Sequence, residues 1–111
     1  MALLINQSDV QSYKEDGVVL LRGIFKEWID ILVKGAEFHI KNPSQRSLVH
    51  QKEKYQGQFL EDFCNWRRIP EYTDFIFNSN LASIASNLME SSSVQFFHDH
   101  FFYKEPNSGV P

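Results

Sequence analysis

His98, His100 and Lys104 occupy alternate positions of one aromatic run, Val94-Gln-Phe-Phe-His-Asp-His-Phe-Phe-Tyr103 and the residue after it. On a strand, residues two apart project from the same face. Two imidazoles so placed can share a metal ion, because neutral imidazole nitrogen is a common metal ligand. The alternative is two aromatic-like residues packed in a sheet interior, each donating one N–H to a backbone carbonyl. No third histidine or carboxylate is pinned to that face by sequence. Lys104 ends the same apolar run, where a lysine either carries its ammonium out to water or receives an anion inside a pocket.

Other residues offer less. His39 falls on a long helical segment and His50 in a polar stretch, and both read as surface residues rather than ligands. Arg67-Arg68 can grip a carboxylate or phosphate, but a solvated helix end is the favoured account of them. Cys64 has no histidine near it in sequence to activate a thiolate, so it reads as a small buried residue. There is no glycine-rich phosphate loop and no nucleophile elbow.

The elements that must hold these residues follow from periodicity. Ser8 can cap a helix that Gly17 stops, and Val18-Val-Leu-Leu21 is then a β-branched apolar run of strand length. From about Lys26 to Lys41, Ile29, Leu32, Val33, Ala36 and Ile40 recur at helical steps and predict one buried stripe. Residues 45–58 are polar and read as a surface loop. Phe59, Leu60, Phe63 and Trp66 return to helical spacing. Pro70 then suits a helix start running through Phe77, and Asn78-Ser-Asn80 caps a further helix with Leu81, Ile84, Ala85, Leu88 and Met89 as its apolar stripe. The Val94–Tyr103 run, aromatic on both faces, predicts a strand covered on both sides. Only Val18–Leu21 offers it a partner, so the chain reads as the front part of a larger sheet domain.

Composition sets the class. The chain has 111 residues, 42% apolar and 23% charged, which fits one ordinary globular domain and excludes general disorder. A net charge of −3 argues against a nucleic-acid partner. Ten Phe, four Tyr and two Trp demand a substantial interior or a covered surface. One cysteine excludes an internal disulfide and a multi-cysteine zinc site, and it fits a reducing compartment. The apolar opening Met1–Ile5 is too short for a signal-peptide core, and no stretch approaches the roughly 20 apolar residues of a membrane helix. The expectation is a soluble cytoplasmic protein with no membrane partner.

Three strings together carry a family likeness: "YKEDGVVLLRGIF", "FCNWRRIPEYTDFIFNSNLASIASNLM" and "VQFFHDHFFYKEPNSG". In this order they resemble the N-terminal half of the phytanoyl-CoA dioxygenase family, over essentially residues 1–111 as the N-terminal part of a single domain. The third string is the most specific. The resemblance implies an α+β chain: N-terminal helices plus the first strands of a double-stranded β-helix, or jelly roll, cut short. It implies an iron(II)- and 2-oxoglutarate-dependent oxygenase acting on a small-molecule substrate that the sequence does not specify. Lys104, in the Lys-x-Pro segment, then contacts 2-oxoglutarate. His98, His100 and Phe102 line the pocket and are not iron ligands. The family's His-x-Asp pair follows that segment, so the resemblance assigns no iron ligand within these residues; His98-Asp99-His100 has the wrong order and precedes the lysine. On this likeness the 111 residues are inactive by themselves and the parent protein is the enzyme.

Two other readings compete. One is a non-catalytic interaction module, or a degenerate remnant of the fold, that pairs its open strand with a partner or with itself. The other is a small metal binder built on His98 and His100.

Overall fold

The computed structural model describes residues 5–54 and 56–109. Its first helix, α1 (Gln7–Asp16), begins at Asn6 rather than Ser8. The Asn6 side chain accepts from the Asp9 N–H, and the Asp9 carboxylate accepts from the Asn6 N–H, a reciprocal cap; Ser8 lies inside the first turn and donates its hydroxyl to the Asn6 side chain. Gly17 ends α1 with φ +74°, its N–H donating to the Tyr13 carbonyl at 2.8 Å. Val18–Leu21 forms no strand. Val18 and Leu20 are 67% and 70% exposed, while Leu21 packs inward on the cluster of Ile5, Val10 and Ile84. A β-prone run becomes a strand only where a neighbouring strand can take its backbone groups, and none lies beside it among the described residues.

A single 3-10 turn (Lys26–Trp28) leads into α2 (Ile29–Lys41), close to the predicted span. Its buried face is turned from the predicted stripe. Ile29 and Val33 are exposed, whereas Gly35 and His39 are buried. The cause is the approach of α3 (Pro70–Asn78): a Cβ on Gly35 would lie 3.0 Å from both the Glu71 Cβ and the Tyr72 ring. Close contact selects the helix face with the smallest residue, not the greasiest one.

The segment predicted as loop then helix is instead two strands, β1 (Leu48–His50) and β2 (Phe59–Phe63). Leu60 and Asp62 are buried and Phe59, Glu61 and Phe63 are half-buried, the period of two that a strand requires. Helices α3 and α4 (Leu81–Leu88) follow over the predicted spans, with Pro70 in the first turn of α3, but the Asn80 side chain makes no cap bond and Met89, predicted inward, is exposed. The last strand, β3 (His100–Lys104), is shorter than the predicted run, because Val94–Asp99 takes no part in the sheet.

The architecture is α+β, with one antiparallel sheet in the order β1-β2-β3. Leu48 pairs with Glu61 and His50 with Phe59; Phe59 pairs with Lys104, Glu61 with Phe102 and Phe63 with His100. The helices cover one sheet face only, where Phe101 stacks on His39 of α2 at 4.4 Å. The expectation that β3 is covered on both sides fails: Phe102, on the opposite face, is 59% exposed.

Candidate functional site

Directly paired residues share a face, so the open side of the sheet carries His50, Phe59, Glu61, Phe63, His100, Phe102 and Lys104. At its centre, one carboxylate joins all three strands. Glu61 Oε2 lies 3.2 Å from His50 Nε2, and Glu61 Oε1 lies 3.0 Å from His100 Nε2. The imidazoles reach it from opposite sides, His50 from the Phe59 end of β2 and His100 from the Phe63 end. Rings stack beside them, with His100 on Phe102 at 4.1 Å and His50 on Phe59 at 5.4 Å. Lys104 Nζ sits 5.8 Å from the Phe59 ring centre and pairs with no carboxylate among the described residues. The face thus offers one free cation, a flat aromatic surface and a hydrogen-bonded His–Glu–His line.

His98 is exposed, its ring 6.5 Å from that of His100. Asp99 between them turns the other way. Its carboxylate accepts from the backbone N–H groups of Asn65 and Trp66 at 2.9 Å, and its carbonyl accepts from Cys64. It ties the start of β3 to the turn after β2, where Cys64 adopts φ +63°. Arg46 braces the same turn by donating to the Phe63 and Cys64 carbonyls. Cys64 is therefore exposed, not buried: it occupies a tight corner whose backbone, rather than its side chain, is in demand.

On the helix side His39 and Asp62 are wholly buried, with Tyr72 and Ser44 half-buried around them. His39 Nε2 meets Asp62 Oδ2 at 2.8 Å, and Tyr72 Oη meets His39 Nδ1 at 2.9 Å. Ser44 donates to Asp62 through both its N–H (2.8 Å) and its hydroxyl (2.6 Å). Burial alone would raise the Asp62 carboxyl, but hydrogen bonds from Ser44, His39 and Asn65 outweigh it and hold it below the usual carboxylate range. Burial, reinforced by the Asp99 charge, pushes the Tyr72 hydroxyl up to about 12. His39, predicted at the surface, is thus the centre of the staple joining α2, β2 and α3. His50, predicted in a loop, is a strand residue bound to Glu61.

Arg67 and Arg68 are exposed as expected, lying over Trp66 and Phe38. A cavity of about 340 Å³ opens between α2, α3 and the start of β3, walled by Leu32, Phe75, Ile76 and Phe101. Of the three residues predicted to line a pocket, His100 borders this cavity, whereas His98 and Phe102 do not. Sequence reasoning missed Glu61 and Asp62. The alternation in Phe59-Leu-Glu-Asp-Phe63 was the signal that places them on opposite faces.

Among the described residues, no three His, Cys, Asp or Glu side chains are gathered to hold a metal ion, and no helix is long and apolar enough to cross a membrane. No family model, curated protein sequence or solved structure matches this chain.

Proposed function

We propose that this chain is the N-terminal part of an iron(II)/2-oxoglutarate-dependent dioxygenase domain of the phytanoyl-CoA dioxygenase kind, with the open sheet face as the floor of its co-substrate pocket. The observation that carries this reading is Lys104: a cation on the uncovered face, over the Phe59 ring, with no carboxylate partner among the described residues. Such a cation suits one carboxylate of a dicarboxylate co-substrate. The same face carries Glu61, His50 and His100, so a dry apolar cover would bury charged groups at high cost. A roof over a wet, ligand-holding chamber would not.

Iron does not fit the described residues. Asp99 is spent on backbone N–H groups, and the two imidazoles on Glu61 approach from opposite ends, so no step through iron is derived from them. In that reading dioxygen is the oxidant: 2-oxoglutarate gives two electrons and becomes succinate and CO2, the C–H bond gives two and becomes C–OH, and one oxygen atom enters each of succinate and the hydroxyl. Lys104 contributes binding and orientation, and a soluble cytoplasmic setting belongs to the same proposal.

The test is to express the reading frame continued beyond residue 111 and to measure succinate from 2-oxoglutarate with iron(II) and ascorbate. We expect turnover from the longer protein and none above a blank from residues 1–111. A continuation without a His-x-Asp pair, or a longer protein that makes no succinate, overturns the reading.

One observation favours a non-catalytic module instead. β3, like β1, is an edge strand of the sheet among the described residues, and its unpaired edge can accept a further strand from a partner or a second copy.

A further inference from the structure

We propose that His98 and His100 form a two-imidazole site for a borderline divalent transition-metal ion, with Glu61 as the positioning residue behind His100. The site does not depend on the oxygenase reading or on Lys104, although His100 and Glu61 stand on the same open sheet face.

Glu61 Oε1 lies 3.0 Å from His100 Nε2, so that nitrogen carries the hydrogen and donates it. Nδ1 of neutral His100 then holds the lone pair, and no protein group takes it among the described residues. A histidine whose other ring nitrogen is tied to a carboxylate is the usual form of a metal-bound histidine, since the carboxylate fixes the ring and raises its basicity. Stacking on Phe102 at 4.1 Å holds the same ring from the side.

The second ligand is His98, two positions earlier, exposed and with no hydrogen bond to its ring among the described residues. The two ring centres are 6.5 Å apart, so sharing one ion requires the exposed His98 ring to leave its edge contact with Phe97 (4.6 Å) and turn towards His100. His50 does not join them, because it is held on the far side of Glu61. Asp99 does not join them either, because its oxygens are committed to Asn65 and Trp66. Two nitrogens with water in the remaining positions suit copper(II), nickel(II) or zinc(II), copper most strongly, and not magnesium or calcium.

The experiment titrates the untagged chain with copper(II) alone, and in parallel with magnesium, while following the four histidine ring signals by NMR. We expect His98 and His100 to respond first, His39 and His50 to stay, and magnesium to do nothing. Replacing the exposed ligand, His98→Ala, removes the selective response. Glu61→Gln keeps both ligands yet weakens copper binding about ten- to a hundredfold, the usual effect of losing such a supporting carboxylate. Copper binding that survives His98→Ala, that moves His50 as much as His100, or that is indifferent to Glu61→Gln overturns the proposal.

Discussion

His39 Nε2 and Asp62 Oδ2 meet at 2.8 Å with both side chains wholly shielded from water, one from the last turn of α2 and the other from β2 beside its last residue. The pair is the joint between the helical layer and the sheet. Removing one member leaves the other's polar groups buried and unmatched. His39→Ala should therefore cost roughly 3–5 kcal/mol, read from urea unfolding. A loss under 1 kcal/mol would mean that Ser44 alone satisfies the carboxylate.

The same network sets an acid limit. The Asp62 carboxyl is depressed in the folded protein, so its contribution is present above the unfolded value near 3.9 and is lost as pH falls through the folded one. Unfolding at falling pH should steepen below about 4. Asp62→Asn should flatten that limb, and equal acid sensitivity in both proteins would assign it to other carboxyls.

An alkaline limit has the opposite sign. Tyr72 is raised from 10.0 to about 12, so its contribution is full below 10 and disappears as pH climbs through 12. Tyr72→Phe should be less stable at neutral pH and lose less between those values. Circular dichroism melts across that window check it.

Gly35→Ala tests the contact between α2 and α3. Alanine gains about 1 kcal/mol of helix propensity, but a Cβ 3.0 Å from Tyr72 and Glu71 overpacks the interface by about 1–3 kcal/mol. We expect a net loss of about 1 kcal/mol. A stabilised variant would show that α3 can move away freely.

Lys104→Met keeps the stem and removes the charge. In the longer protein, losing one charge-assisted contact of roughly 1.5–3 kcal/mol should raise the KM for 2-oxoglutarate about ten- to a hundredfold and affect the substrate KM less. An unchanged co-substrate KM would detach Lys104 from that pocket.

The 111-residue chain should also self-associate. Phe97 is 88% exposed, Phe102 stands on the uncovered face, and β3 ends the sheet. Size-exclusion chromatography should show species larger than a monomer, shifting towards monomer in Phe97→Asp. A sharp monomer peak from the unaltered chain would remove the aromatic surface as the cause.

Local chemistry determined much of this protein. Gly17 stops α1, Pro70 starts α3, and the periodicity of residues 81–88 makes α4, because caps, fixed φ angles and helical stripes act over a few residues. The shared face of His100 and Lys104 likewise follows from strand alternation. Tertiary structure decided the rest. Phe59–Phe63 carries apolar residues compatible with either period, and only pairing with β1 and β3 makes it a strand. Val18–Leu21 has the composition of a strand and no neighbour to make it one. His39 lies on a helix like any surface histidine until Asp62, 23 positions later, arrives to pair with it. Glu61 gathers His50 and His100 from strands that sequence distance keeps 50 residues apart. Such contacts depend on register and on which helix face can approach closely, and neither is written in any local run of residues.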